Sequence, residues 1–74
     1  MTTTFGHRLR LIREHMGLDR AAFALRLGLS PATIWDYEQG LASPDLRELG
    51  RIASALGVPR DYLAGIGSTF PWGW

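Results

Sequence analysis

The residues with the most chemical potential lie in "LSPATIWDYEQG", Leu29 to Gly40. At helical spacing its outward face carries Pro31, Ala32, Trp35, Asp36 and Gln39: a ring without an N–H, a methyl, an indole, a carboxylate and an amide. That set can make apolar contacts and a small number of hydrogen bonds, and it has no cation. Elsewhere the chain offers little to catalysis. His7 and His15 share one predicted helix but lie more than two turns apart, so they do not converge on a metal, and both read as solvated. There is no cysteine, which excludes disulfides and thiolate metal sites. No glycine-rich phosphate loop with a lysine, no HExxH pair and no supported Ser/His/Asp set is present, so no enzyme activity, metal or cofactor is expected. Arg47 and Arg51, with Glu48 between them, read as a solvated helix face rather than a phosphate stripe.

These side chains need helices to carry them. Apolar residues recur at helical spacing along most of the chain, and no segment alternates like a strand. Phe5, Leu9, Ile12 and Met16 predict a first helix from about Thr4 to Met16, broken by Gly17. Asp19 is a good N-cap for a second helix ending at Leu27, with Ala24 and Leu27 inward and Gly28 as the stop. Ser30 caps a third helix, Pro31 to Glu38, whose inward face is Ile34, Tyr37 and Glu38, and Gly40 ends it. Ser43-Pro44-Asp45 predicts a fourth helix from Pro44 to about Leu56, with Leu46, Leu49, Ile52, Ala53 and Leu56 on one face. A short fifth helix fits Pro59 to Ala64. Two short helices joined by a tight glycine-containing turn fit a helix-turn-helix, and they also fit an ordinary helical hairpin.

Seventy-four residues make one small domain, with 46% hydrophobic residues, an ordinary globular share. The formal charge is +1, from eight basic residues, all arginine, and seven acidic ones. Such a balance is weak support for nucleic-acid binding, whose usual footprint is a clearly basic domain. Neither a signal peptide nor a membrane span is visible, so the expected setting is soluble and cytoplasmic, with no membrane partner.

The segments "RLRLIREHMGL", "FALRLGLSPATIWDYEQG" and "SPDLRELGRIASALGVPRDYL" together resemble the Cro/C1-type (XRE-like) helix-turn-helix domain of phage repressors and bacterial regulators. The similarity runs from residue 5 to residue 64, and its most specific elements are Ala24, Gly28, Ile34, Glu38-x-Gly40, Pro44 and Ala55-Leu56-Gly57-Val58. It implies an all-α, compact five-helix bundle of the lambda-repressor-like type, working as a homodimer on double-stranded DNA. It also implies that the third helix enters the major groove. By position, Pro31, Ala32, Trp35 and Asp36 then face bases, with Thr33 and Gln39 beside them. Arg20 becomes a backbone contact that strengthens binding to every sequence alike, and Ser30 with the first amides of the helix forms a second phosphate site. Relatives commonly read bases with Gln, Ser, Asn, Arg or Lys. Here Ala32 can meet a thymine methyl, Trp35 can lie against sugar or thymine, and Asp36 can accept from cytosine N4 while repelling the backbone. The loop Leu41-Ala42-Ser43 is neutral where relatives often carry basic residues. An alternative follows, in which this face and the tail dock a protein partner. Arg13 and Glu38 read as a structural ion pair tying the first helix to the end of the third, rather than as an acid/base couple.

Residues 1–66 are therefore expected to form the helix-turn-helix domain and residues 67–74 an aromatic tail. Phe70, Trp72 and Trp74 are apolar surface that a solvated tail of ordinary composition does not carry. The tail is expected to pack around Tyr62, Leu63 and Ile66 and complete a dimer interface there, or to meet a protein partner.

Overall fold

The computed structural model describes residues 4–66, which are all helix and connecting turn. Five helices follow in order: α1 (Thr4–His15), α2 (Arg20–Leu27), α3 (Pro31–Gln39), α4 (Leu46–Leu56) and α5 (Arg60–Leu63). Phe23, Leu9, Ile12, Leu27, Ile34, Ile52 and Leu63 are fully buried and form one core to which every helix contributes. Phe5 and Tyr37 meet edge to face at its margin, ring centres 5.3 Å apart.

The helix starts follow local chemistry. Asp19 accepts from the Ala22 amide at 2.8 Å, Ser30 from the Thr33 amide at 3.1 Å, and Asp45 from the Glu48 amide at 2.8 Å. The last of these corrects the expected start of the fourth helix. Pro44 fits a first helical position, but the Asp45 carboxylate makes the better cap, so α4 begins at Leu46 and Pro44 lies outside it. Leu46 then occupies the overhanging first turn and is 79% exposed, not part of the inward face. The other ends shift by a residue or so: α1 stops at His15, α3 runs on to Gln39, and α5 keeps only Arg60–Leu63 with Pro59 ahead of it.

The turn between α2 and α3 sets their crossing. Gly28 sits at φ 67°, where a side chain would be strained, and the Leu29 amide closes the turn onto Ala24 O at 2.9 Å. Arg51 on α4 reaches across and donates from Nη1 to the Leu27 carbonyl at 2.7 Å. It also pairs with Glu48. Arg51 is thus more than the solvated charge expected of it: it satisfies the C-terminal end of α2 from a different helix. At the far side, Arg8 donates to the Tyr62 carbonyl at 2.8 Å and stacks over the Tyr62 ring at 4.7 Å, clipping α5 to α1. The turn after α5 also returns to α1, where a Cβ placed on Gly65 would lie 2.9 Å from Thr4 Cγ2.

Candidate nucleic-acid interface

The inward face of α3 is anchored. Ile34, Tyr37 and Glu38 are buried, and the Glu38 side chain has no exposure at all. Its carboxylate is shared by two arginines. Arg13 binds both oxygens, Nε to Oε2 at 2.7 Å and Nη2 to Oε1 at 3.2 Å, and its Nη1 holds the Leu18 carbonyl at 3.0 Å. Arg20 adds a third bond, Nε to Oε1 at 3.0 Å. Arg13 and Glu38 therefore meet in a forked pair between α1 and α3, and α2 joins them through Arg20.

Two guanidinium groups against one carboxylate leave one excess positive charge. Arg13 is nearly enclosed, with 11% of its side chain exposed, whereas Arg20 keeps 34%. The surplus charge thus reaches solvent at Arg20, the first residue of α2. A cation at a helix N-terminus opposes the helix dipole, so this placement does not serve the helix itself. The same guanidinium lies over the Trp35 ring, 4.8 Å from its centre.

On the outward face, Pro31, Ala32, Trp35 and Gln39 are exposed, and Thr33 and Asp36 are half-buried. The Ser30 hydroxyl, besides capping α3, shares a 2.9 Å bond with Thr33 Oγ1, so the two side chains fix each other at the helix start. Past Gly40, the amides of Leu41 and Ala42 turn back onto the Asp36 carbonyl. Leu41, Ala42 and Ser43 are exposed and uncharged. Below this face Tyr37 titrates above its ordinary value of 10.0, chiefly through burial and further through the charges of Glu48 and Asp45, with Arg51 opposing. Burial raises Tyr62 as well, against the opposing Arg8 charge.

The residues expected at an interface beyond α3 divide. Tyr62 and Leu63 belong to the core, and Ile66 is 64% exposed. Phe70, Trp72 and Trp74 lie outside the described residues. His7 and His15 are exposed, and among the described residues no group of side chains could hold a metal. No described helix is long and apolar enough to cross a membrane. The Arg20–Glu38 bond, the Arg20–Trp35 stack and the Arg51–Leu27 bond escaped sequence reasoning. Each joins residues on different helices, and no short spacing signals them.

Comparison with known proteins places this geometry. A family model described as a helix-turn-helix domain matches residues 4–64. A prophage-derived uncharacterized HTH-type transcriptional regulator of Bacillus subtilis, YonR, is 37% identical over 59 residues. That match takes in 80% of this chain and 55% of the relative, so the chain spans about half the length of its curated relative. The P22 c2 repressor, solved in complex with a synthetic operator, superposes with a TM-score of 0.73 at 29% identity, covering 84% of this chain and 94% of that one. Hydroxypropylphosphonic acid epoxidase from S. wedmorenis shares the fold in part of its length, with a TM-score of 0.72 at 37% identity over 85% of this chain and 34% of that one.

Proposed function

Because the chain belongs to the helix-turn-helix domain family, among its Cro/C1-type (XRE-like) members, we propose that it is a sequence-specific DNA-binding transcriptional regulator, a small homodimeric repressor. In this reading α3 lies in the major groove of double-stranded DNA. The observation that carries it is the two-sidedness of α3: one face is bolted to the core through Glu38, and the other presents Pro31, Ala32, Trp35 and Gln39 to solvent. A helix held this firmly from behind can hold its free face in register with base edges.

The roles follow from the chemistry. Ala32 offers a methyl contact and Asp36 an acceptor for cytosine N4, while Pro31, Thr33 and Gln39 border them. Arg20 carries the surplus charge of the Glu38 cluster toward phosphate. At the start of α3, Pro31 has no N–H and the Thr33 and Ile34 amides are taken up by Ser30, so the second phosphate contact falls to the Ala32 amide beside the Ser30 hydroxyl. One short helix buries too little to be specific. Two of them, about 34–36 Å apart in a homodimer, read a near-palindrome.

A random-sequence DNA selection at one stated salt concentration, run beside light scattering, tests the reading. A dimer that enriches a two-fold symmetric site is expected, and a protein that enriches nothing overturns it. A second reading, a protein-binding module of the same fold, is favoured by Leu25, Leu41 and Leu46, large apolar side chains each more than two-thirds exposed. In that case no DNA is enriched, and charge substitution at Leu41 abolishes capture of a protein ligand.

A further inference from the structure

We propose that Trp35 is a specificity-determining residue of α3, reading the 5-methyl group of thymine, and that Arg20 is the positioning residue that holds it; the proposal rests on the DNA-binding reading above. The contacts of one guanidinium carry it. Arg20 Nε donates to Glu38 Oε1 at 3.0 Å. That oxygen has nowhere to go, because the Glu38 side chain is fully enclosed and Arg13 grips both of its oxygens. The central carbon of the same guanidinium lies over the Trp35 ring, 4.8 Å from its centre. Restraint therefore passes from a buried carboxylate, through a flat cation, to an indole on the exposed side of α3.

An indole turns about only two side-chain torsions, and a cation over one ring face takes up much of that freedom. The residue is still 46% exposed, so part of its surface stays open to a ligand. That surface is mostly apolar. Among the groups on base edges in the major groove, only the thymine methyl is apolar, so thymine is the base this platform fits. Binding to an already ordered side chain loses little further rotamer entropy.

Arg20 acquires a second duty that its position at the start of α2 does not disclose. A residue that touches only phosphate weakens every sequence by one common factor when it is lost. A residue that also orients a base reader changes which sequences are preferred. On this proposal Arg20 alters preference, where the family resemblance alone implies a uniform effect.

The experiment uses DNA duplexes recovered by the wild-type protein from a random-sequence library at fixed salt. These are titrated with wild type, Trp35→Ala, Arg20→Lys and the double variant, each first checked by thermal melting. Lysine keeps the charge but lacks the planar face and the Nε fork. Both single variants are expected to lose at least about fivefold discrimination at the same base pair of each half-site. The double variant should lose no more discrimination than Trp35→Ala alone. Deoxyuracil in place of thymine at that pair should weaken wild type and leave Trp35→Ala indifferent; equal affinity of wild type for both overturns the thymine assignment. An Arg20→Lys protein that binds all sequences more weakly by one common factor overturns the positioning role and leaves the DNA reading intact. A wild type that recovers no sequence overturns the DNA reading and the thymine assignment together. The positioning role is then read from acrylamide quenching of Trp35 emission in a Trp72→Phe/Trp74→Phe protein. Arg20→Lys should increase that quenching, and unchanged quenching overturns the positioning role too.

Discussion

Removing the Glu38 carboxylate strands two guanidinium groups, and one of them, Arg13, has almost no water to turn to. Loss of one partner from a buried pair costs about 3–5 kcal/mol, whereas an exposed pair is worth about 0–1 kcal/mol. Glu38→Ala is therefore expected to melt far below Glu48→Ala, although each removes one acidic charge from a helix; thermal melts of the two variants decide it. The tyrosines give a test in pH. Tyr37 and Tyr62 are held protonated above the ordinary value of 10.0, mainly by burial. Where the unfolded chain has lost the proton and the native state keeps it, stability falls as pH rises. Their contribution is thus complete below pH about 10 and drains away as pH climbs through the raised native values. An ultraviolet titration should show both rings ionising late, with denaturant midpoints falling over the same range. If α3 enters the groove as proposed, Asp36→Asn removes a charge that would repel phosphate, so filter binding to random duplex is expected to strengthen while preference at one base pair per half-site changes. At this scale the Arg13–Glu38 pair was legible because whole motifs, rather than spacing, pointed to it. The two further commitments of Arg20 depend on how α2 crosses α3, which no local pattern records.

Between Leu46 and Leu56, one glycine stands in the middle of a helix without a conformational reason to be there. Gly50 has no positive φ, and a Cβ added to it would meet Arg60 Nη1 at 3.5 Å and Cδ at 3.7 Å, ordinary contact distances. Gly50→Ala should raise stability by about 0.5–1 kcal/mol, through less backbone freedom in the unfolded chain and better helix propensity. Gly28→Ala should do the reverse by about 1–2 kcal/mol, since the turn into α3 holds that residue in the left-handed region. Calorimetry on the two variants checks both signs. The helices themselves were legible because Asp19, Ser30, Gly17, Gly28 and Gly40 punctuate the apolar period in the chain. The fourth start was not, because Pro44 and Asp45 both carry N-terminal signals and only the Asp45–Glu48 bond arbitrates. Leu46 departs from the expected inward face for a related reason: periodicity reports which side of a helix is apolar and is silent on where the core beneath it ends.

Over the whole chain, a formal charge of +1 leaves few phosphate contacts to share among many roles. The proposed DNA binding through Arg20 and Ser30 should therefore be modest and weaken as salt rises, with a gentler slope than a strongly basic domain would give. A protein this small also gains from any added apolar contact between copies. Deleting residues 67–74, which removes Phe70, Trp72 and Trp74, is expected to lower the melting temperature and to raise the dissociation constant of the proposed dimer. Sedimentation of the 74-residue and shortened chains measures the second effect, and an equally tight dimer would assign those rings to another partner. One contact bears on how such a unit joins other sequence. A Cβ on Gly65 would run into Thr4, so the backbone after α5 passes beside the start of α1 and the path through all five helices returns to where it set out. Two segments spliced on, one ahead of Thr4 and one after Gly65, would leave the surface side by side. The unit can thus be threaded into a surface loop of a host protein without prying that loop apart. Equally, Thr4 and Gly65 can be joined by a short linker and the chain reopened after Ala42, beyond the amides that close α3 onto Asp36, leaving the Glu38 cluster and its three helices undisturbed.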